Sequence, residues 1–153
     1  MDARPIVIAY DGSDRARAAI AYAGEVLRYA RAVVVCVWAP VEPALPAATI
    51  AAPSSVAVVG GRRIDALERE HAEHVAEEGA ELARRAGFAA ESLLVRRDGP
   101  PWRAIVDYAA EADAAMIVTG TRGRSRAVAA VLGSTAEGVL HHAHRPVLVV
   151  PDT

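Results

Sequence analysis

PIVIAY at residues 5–10, followed directly by DGSD at residues 11–14, is the stretch that decides the fold. A short, continuous run of apolar and β-branched residues is typical of a strand that is buried on both faces, as in a parallel sheet. DGSD has turn and N-cap chemistry, so a helix is expected to follow with Ser13 or Asp14 as its cap. This order of strand, turn and helix predicts the first part of a right-handed βαβ unit.

The same alternation continues to the end of the chain. Continuous apolar runs predict strands at residues 5–10, 32–39, 91–96, 115–119 and 146–150. Apolar residues three and four positions apart predict helices at residues 15–31, 62–86, 102–112 and 134–144. The inner stripe of the second helix is expected to be Ile64, Leu67, His71, Val75, Leu82 and Ala86. The pattern predicts one α/β domain over residues 1–153, a five-stranded parallel open sheet with helices on both faces, and an irregular Pro/Ala-rich excursion at about residues 40–61.

The composition excludes several classes of function. The chain has 153 residues, of which 53% are hydrophobic and 24% are charged, and its formal net charge of −2 argues against broad electrostatic binding to nucleic acid. All 17 basic residues are arginine, which excludes chemistry that needs a lysine, and the single Cys36 excludes an intrachain disulfide. The sequence has neither a signal-peptide pattern nor an apolar run of membrane-spanning length, so a cytoplasmic protein without membrane contact is expected.

Two segments at the carboxyl ends of predicted strands form the main part of a candidate site. Ligands of open α/β sheets bind at this edge. GTRG at residues 120–123 follows the fourth predicted strand, and Gly133, Ser134 and Thr135 begin the last predicted helix. Glycines permit close backbone approach, and the first N–H groups of a helix together with two hydroxyls suit a phosphate. The pattern predicts a phosphate cradle that needs no lysine, with one or more of Arg122, Arg124 and Arg126 neutralising part of the charge.

The ends of the first two predicted strands complete this candidate site. Asp11 is placed to accept hydrogen bonds from ribose hydroxyls, and Val37 is placed to line an adenine pocket. A second interpretation of the same residues stays open, in which the glycines are ordinary turn residues and Ser134 and Asp11 are only helix caps. The residues taken alone are compatible with both a nucleotide site and ordinary turn chemistry.

The glycine spacing at the candidate site, with its flanking segments, matches a known family. Gly120, Gly123, Gly133 and Ser134 follow the pattern glycine, two residues, glycine, nine residues, glycine, serine. The matching segments are IVIAYDGSD, GPPWRAIVDYAAEADAAMIVTGTRG and GSTAEGVLHHAHRPVLVVP, which together cover most of the chain. On these grounds the chain resembles the nucleotide-binding members of the universal stress protein family. The resemblance implies a Rossmann-like sheet with strand order 3-2-1-4-5 and ATP held between the first and fourth strands.

The resemblance also assigns roles to individual residues. It implies that Asp11 meets the ribose and that Ala9, Tyr10 and Val37 border the adenine. It implies that six residues surround the phosphates, namely Gly120, Arg122, Gly123, Gly133, Ser134 and Thr135. Some ATP-binding relatives have a second hydroxyl two residues after the serine, where this chain has Ala136. The resemblance further implies a homodimer built through the strand Val147–Val150, which is expected to be an apolar edge of the sheet.

The other polar clusters lead to no predicted metal site and no predicted catalytic residue. The adjacent histidines at residues 141–142 point about 100° apart on a helix, and no acidic metal motif accompanies His71 and His74. The acidic run from Glu68 to Glu81 is interpreted as a solvated helix face. Cys36 lies in a predicted buried strand and is interpreted as a small hydrophobic residue.

The sequence thus predicts an ATP-binding universal stress protein that acts as a nucleotide-dependent stress-response sensor or regulator. Mg²⁺ is expected with the ATP, and an unknown protein is expected as partner. Bound ATP is expected to order the loop from Gly120 to Leu132. Two alternatives stay open: a weak ATPase or autophosphorylating enzyme that modifies Ser134 or Thr135, and a dimeric scaffold that binds no nucleotide. ADP, AMP and cyclic AMP are compatible ligands because they share the adenine and ribose contacts.

Overall fold

A parallel sheet of five strands lies at the centre of the computed structural model, which describes residues 3–28, 30–40, 54–122 and 132–151. The strands are β1 (Ile6–Ala9), β2 (Arg31–Trp38), β3 (Ala89–Arg96), β4 (Met116–Gly120) and β5 (Val147–Val150). The helices are α1 (Asp14–Val26), α2 (Ser54–Arg85), α3 (Pro101–Glu111) and α4 (Ser134–His142). The strand order is β3-β2-β1-β4-β5 with parallel pairing between neighbours, which confirms the predicted architecture.

Two helical layers cover the two faces of the sheet. α1 and α2 pack on one face and α3 and α4 on the other, each pair over its own cluster of buried side chains. Because successive residues of a strand point to opposite faces, Ile8 and Val34 lie under α1 and α2, whereas Val7 and Ile117 lie under α3 and α4. All four side chains are fully buried, and burying one such side chain contributes roughly 1.5–3 kcal/mol.

The order of the sheet reverses at β1. In this strand Ile6 lies opposite Ala32 of β2 on one side and opposite Met116 of β4 on the other. The chain first builds outward from β1 to β3 and then crosses back to β4 and β5. The segments that follow β1 and β4 leave in opposite directions, and in such sheets a crevice opens outside the carboxyl ends of these strands.

Helix boundaries differ from the sequence prediction by more than two residues in two places. α1 ends at Val26 instead of residue 31, because Arg31 already belongs to β2. α2 begins at Ser54 instead of residue 62, because the last proline of the predicted excursion is Pro53 and no later residue forbids helical backbone. Residues 41–53 of that excursion lie outside the described residues. The predicted cap of α1 is confirmed for Ser13, whose Oγ accepts a hydrogen bond from the backbone N–H of Ala16 at 3.2 Å.

The predicted inner stripe of α2 is wrong in the first half of the helix. Ile64 and Leu67 are 48% and 65% exposed, and His71, just past the middle of the helix, is exposed as well. Burial along the described side chains of α2 begins at Ala72 and Val75. A helix of 32 residues is about 48 Å long, whereas an eight-residue strand such as β2 spans about 26 Å. The sheet is therefore too short to cover all of α2.

The contact of α2 with Tyr10 and with Val34 of β2 requires a glycine. A Cβ atom on Gly79 would lie 2.5 Å from the ring of Tyr10 and 2.9 Å from Cγ1 of Val34. Gly79→Ala is expected to destabilise the protein by about 1–3 kcal/mol through overpacking, although alanine is the better helix former by about 1 kcal/mol. Urea denaturation measures the effect. Ala66→Gly, at an exposed position of the same helix, is the control, with an expected loss of about 1 kcal/mol from helix propensity alone. A more stable Gly79→Ala protein would contradict the close packing.

Candidate functional site

A cavity of about 690 Å³ lies at the carboxyl edge of the sheet, where the strand order reverses. Nine of the ten residues predicted for the site line this cavity: Ala9, Tyr10, Asp11, Val37, Gly120, Arg122, Gly133, Ser134 and Thr135. The tenth, Gly123, lies outside the described residues. The fold therefore brings four separate segments of the sequence into one concave site. The contact of each residue with a ligand stays a prediction.

The part of the cavity predicted for phosphates is built from the end of β4 and the start of α4. The backbone N–H of Gly133 donates to the carbonyl oxygen of Thr121 at 2.6 Å, which joins the two segments. Gly133 is the N-cap of α4, and no side chain caps the first turn. The N–H groups of an uncapped first turn carry the positive end of the helix dipole. Ser134 and Thr135 place their hydroxyl-bearing side chains at this end, and Arg122 forms no ion pair within the described residues.

The two described glycines of the predicted motif have different physical roles. A Cβ atom on Gly120 would lie 3.2 Å from the carbonyl oxygen of Arg15, so a glycine here lets the first turn of α1 approach the end of β4. Gly133 has φ −72°, which any residue adopts. Ala136, at the position where some relatives have a hydroxyl, is buried and lines the cavity. The group that closely approaches Gly120 in the structure is thus part of the protein itself, the backbone of Arg15.

Asp11 shapes the turn between β1 and α1. Its Oδ1 accepts a hydrogen bond from the backbone N–H of Ser13 at 3.0 Å, which closes an Asx turn. Gly12 in this turn has φ +79°, a conformation that glycine adopts without steric cost. The cap of α1 is Ser13 and not Asp11. Asp11 therefore has a role in the turn and also lines the cavity, where contact with a ribose stays a prediction.

The hydroxyl of Tyr10 is engaged by charged partners on the neighbouring helices. It donates to Oε1 of Glu78 at 2.7 Å, and the same oxygen accepts from Nε and Nη2 of Arg17 at 3.1 and 2.7 Å. Burial, and next the hydrogen bond with Glu78, raise the pKa of Tyr10 to about 12. The hydrogen bonds from Tyr10 and Arg17 lower the pKa of Glu78. Tyr10 is therefore neutral near pH 7, and its hydroxyl is committed to Glu78.

Several residues that line the cavity were not part of the predicted site. Glu68, His71, Ala72 and Val75 form one face of α2, and their spacing of three, four and seven residues is that of a helix face. This helical spacing groups the four residues on one face in the sequence. No local pattern indicates, however, that this face of α2 passes beside the strand ends. The other lining residues outside the prediction include Arg97, Pro101, Ile105, Thr119 and Glu137.

The described ranges contain no group of three or more His, Cys, Asp or Glu side chains that could hold a metal ion. His142 instead stacks on the ring of Trp102, with ring centroids 4.1 Å apart, and so packs α4 against α3.

In the described ranges, no helix is both long enough and apolar enough to cross a lipid bilayer.

Five parallel strands in the order 3-2-1-4-5, helices on both faces and a cavity at the switch point define a Rossmann-like α/β protein. The sequence profile of the universal stress protein family matches residues 3–151. The chain belongs to the universal stress protein family.

Individual relatives agree with this assignment. A universal stress protein of Thermus aquaticus, described as lying in the QAH/OAS sulfhydrylase 3′ region, is 33% identical over 154 residues, which cover 96% of this chain and 98% of that protein. Universal stress protein MJ0531 of Methanocaldococcus jannaschii is 39% identical over 79 residues, so the match spans about half of each protein, 48% of this chain and 46% of the relative. The universal stress protein from Archaeoglobus fulgidus in complex with dAMP is 29% identical, with a TM-score of 0.64 and coverage of 97% of this chain and 98% of that chain.

The link between Tyr10, Arg17 and Glu78 makes stability depend on pH. Because the pKa of Glu78 is lowered in the folded protein, its carboxylate stabilises the fold above the ordinary glutamate pKa, and this contribution is lost as the pH falls through the folded pKa. Glu78→Gln is expected to destabilise the protein at pH 7 by at most about 1 kcal/mol, since the side chain is 38% exposed. The difference is expected to close at acidic pH in urea denaturation series.

Glu73→Gln is the matched control for that series. Glu73 lies on the same helix and forms an exposed ion pair with Arg69 at 3.1 Å. Such a pair is expected to contribute only a few tenths of a kcal/mol. A Glu78→Gln effect that is the same at pH 7 and at pH 3.5 would show that the carboxylate charge does not stabilise this cluster.

Proposed function

We propose that the cavity binds an adenine nucleotide, with ATP as the foremost candidate. The phosphates lie at the start of α4 beside Arg122, the ribose lies at Asp11, and the base lies against the ends of β1 and β2. The observation that carries the proposal is the meeting of nine predicted site residues from four distant segments in one cavity at the switch point. Sheet topology brings these strand ends together, and the groups placed there, a helix start, two hydroxyls, an arginine and an aspartate, are those that suit a nucleotide.

The chemistry of the phosphate end supports this orientation. An uncapped helix start binds anions through its N–H groups and its dipole, and the hydroxyls of Ser134 and Thr135 add hydrogen-bonding groups there. Arg122 adds a positive charge and forms no ion pair within the described residues, while Glu137 in the first turn of α4 offsets part of the positive potential at this end. The related protein from Archaeoglobus fulgidus is in complex with dAMP, which supports an adenine nucleotide as the ligand.

Mg²⁺ fits this site as a companion of a polyphosphate. Mg²⁺ in proteins is commonly held by one or two carboxylates together with substrate phosphates. Asp11 and Glu137 are the carboxylates that line the cavity on β1 and α4. These side chains would hold the ion jointly with the phosphate oxygens, and the ion would offset the charge of the phosphate chain.

The proposed role is that of a cytoplasmic, nucleotide-dependent regulator of a stress response. Gly120 and Arg122 line the cavity before the loop that joins β4 to α4, and residues 132–135 line it after the loop. A nucleotide that contacts both ends of this loop changes the surface which a protein partner meets. A ligand that binds one conformation of a protein more tightly than another shifts the population toward the first conformation.

Ser134→Asp tests the phosphate end while preserving the helix. An aspartate at the first position of α4 is favourable for the helix dipole by about 0.3–1 kcal/mol, but its charge repels a phosphate. We expect the variant to keep its thermal stability and to lose at least tenfold in affinity for ATP in calorimetric titration. Affinity for adenosine, which has no phosphate, is expected to stay within about twofold.

Ala89→Asp is the charge-matched control, since Ala89 is exposed and begins β3 at the opposite edge of the sheet. It is expected to bind ATP like the parent protein. Equal affinity of the Ser134→Asp variant and the parent for ATP would place the phosphates elsewhere. Absence of ATP, ADP and AMP binding in the parent would remove the proposal altogether and favour a scaffold without nucleotide.

We also propose a homodimer through β5. This strand pairs with β4 on one side and is the last in the sheet order of the described residues. The carbonyl oxygens of Pro146 and Val150 accept hydrogen bonds from Ile117 and Thr121 across this pairing. In a parallel strand, alternate residues point their N–H and C=O groups to opposite sides, so Val149 presents its groups to the outer edge. An apolar outer edge of this kind is a template for a second strand.

Val149→Pro is expected to convert the dimer to a monomer. Proline removes the outward N–H and is tolerated on edge strands, whereas the bonds to β4 use other residues. Light scattering coupled to size-exclusion chromatography measures the mass, and Val149→Thr, which keeps the N–H, is expected to remain dimeric. A parent protein that is monomeric at all concentrations, or a Val149→Pro protein that stays dimeric, would show that β5 is not the interface.

A further inference from the structure

The cavity reaches the end of β3, past the strand ends to which the proposed nucleotide is assigned. Besides the ends of β4, β1 and β2, it is lined by Arg97, which directly follows β3. Neighbouring strands are about 4.8 Å apart, so Arg97 lies roughly 14 Å across the sheet from Gly120 at the end of β4. If the phosphates are at α4 and the base is at Val37 of β2, the end of the cavity at Arg97 lies beyond the base, on the side away from the phosphates.

Arg97 is held in place but has no counterion in the part of the chain that the structure describes. Its backbone N–H donates to the carbonyl oxygen of Trp38 at 2.9 Å, and its Nη1 donates to the carbonyl oxygen of Gly99 at 2.6 Å. The residue is half-buried. Within the described residues no carboxylate lies within ion-pair distance of its guanidinium, whereas Arg17 and Arg84 form short ion pairs with Glu78 and Glu77.

The surroundings of Arg97 add to its positive charge. Pro101, the first residue of α3, lines the same cavity. The first turn of α3 contains no acidic residue and has no side-chain cap, so the positive end of its dipole is not offset by the helix itself. Glu68 on the exposed α2 rim of the cavity forms no ion pair with Arg97. A guanidinium removed in part from water is stabilised by an anion that hydrogen-bonds to it.

We propose that Arg97 forms a second anion subsite, and that the cavity takes adenine nucleotides that carry a carboxylate or phosphate group on the base side as well as the 5′-phosphate. Arg122 and α4 bind one end of such a ligand and Arg97 binds the other. This inference rests on the proposed nucleotide site and names the ligand class of that site. The remaining N–H groups of Arg97 are the donors that the second anionic group meets.

Calorimetric titration with two probes tests the subsite. The probes are AMP and N6-(1,2-dicarboxyethyl)-AMP, with the dimethyl ester of the latter as a neutral ligand of similar size. The dicarboxylate is expected to bind about tenfold tighter than both AMP and the ester, because one charge-assisted hydrogen bond accounts for a gain in affinity of this size. Arg97→Gln is expected to remove this gain in affinity for the dicarboxylate and to leave the affinity for AMP within about twofold of the parent value. Arg97→Lys is expected to restore part of the gain.

Arg96→Gln is the matched control, because Arg96 is exposed, adjacent in sequence and outside the cavity lining. It is expected to bind all three ligands like the parent protein, and thermal melts show that each variant is folded. AMP binding without any gain for the dicarboxylate would overturn the subsite alone. An equal loss of AMP and dicarboxylate affinity in Arg97→Gln would also overturn it. Failure of AMP, ADP and ATP all to bind would overturn the nucleotide site and this inference with it, whereas binding of ATP without binding of AMP or the dicarboxylate would overturn the subsite alone.

Discussion

The placement of β1 between two parallel neighbours is the constraint on which the rest of the structure depends. Val7 and Ile8 point to opposite faces and both are fully buried, so helices have to cover both sides of the sheet. Parallel neighbours cannot be joined by tight turns, and the chain returns through helical crossovers. The segments after β1 and β4 therefore diverge and open a crevice at the carboxyl edge. The cavity is a consequence of sheet topology.

The walls of this cavity are tied to each other through Tyr10. Its ring packs against Gly79 of α2, and its hydroxyl meets Glu78, which also binds Arg17 of α1. One residue at the end of β1 thus links the sheet to both helices of one layer. On the other face, the stack of His142 on Trp102 joins α4 to α3. These contacts fix the helices of each layer relative to one another, which suits recognition of a rigid ligand.

Charge in the cavity is arranged along the sheet. Arg122 and the start of α4 make one end positive, and Arg97 with the start of α3 makes the other end positive. Asp11 lies between them at the end of β1. A nucleotide matches the first end and the middle, since it offers a phosphate and hydroxyl donors. Membership of the universal stress protein family is compatible with this arrangement, and the second positive end is a property of this chain's own residues.

The sequence by itself determined the fold class, a cap of α1 at Ser13 or Asp14 and seven cavity residues, and its family resemblance supplied the strand order together with Ala9 and Tyr10. Apolar periodicity, turn residues and motif spacing are local properties, and they survive folding unchanged. Tertiary structure alone decided that Ile64 and Leu67 are exposed, because the length of α2 exceeds that of the sheet. It also decided that the Tyr10 hydroxyl meets Glu78 and that Arg97 joins the site. These outcomes depend on distances between segments far apart in the chain, and no local pattern encodes such distances.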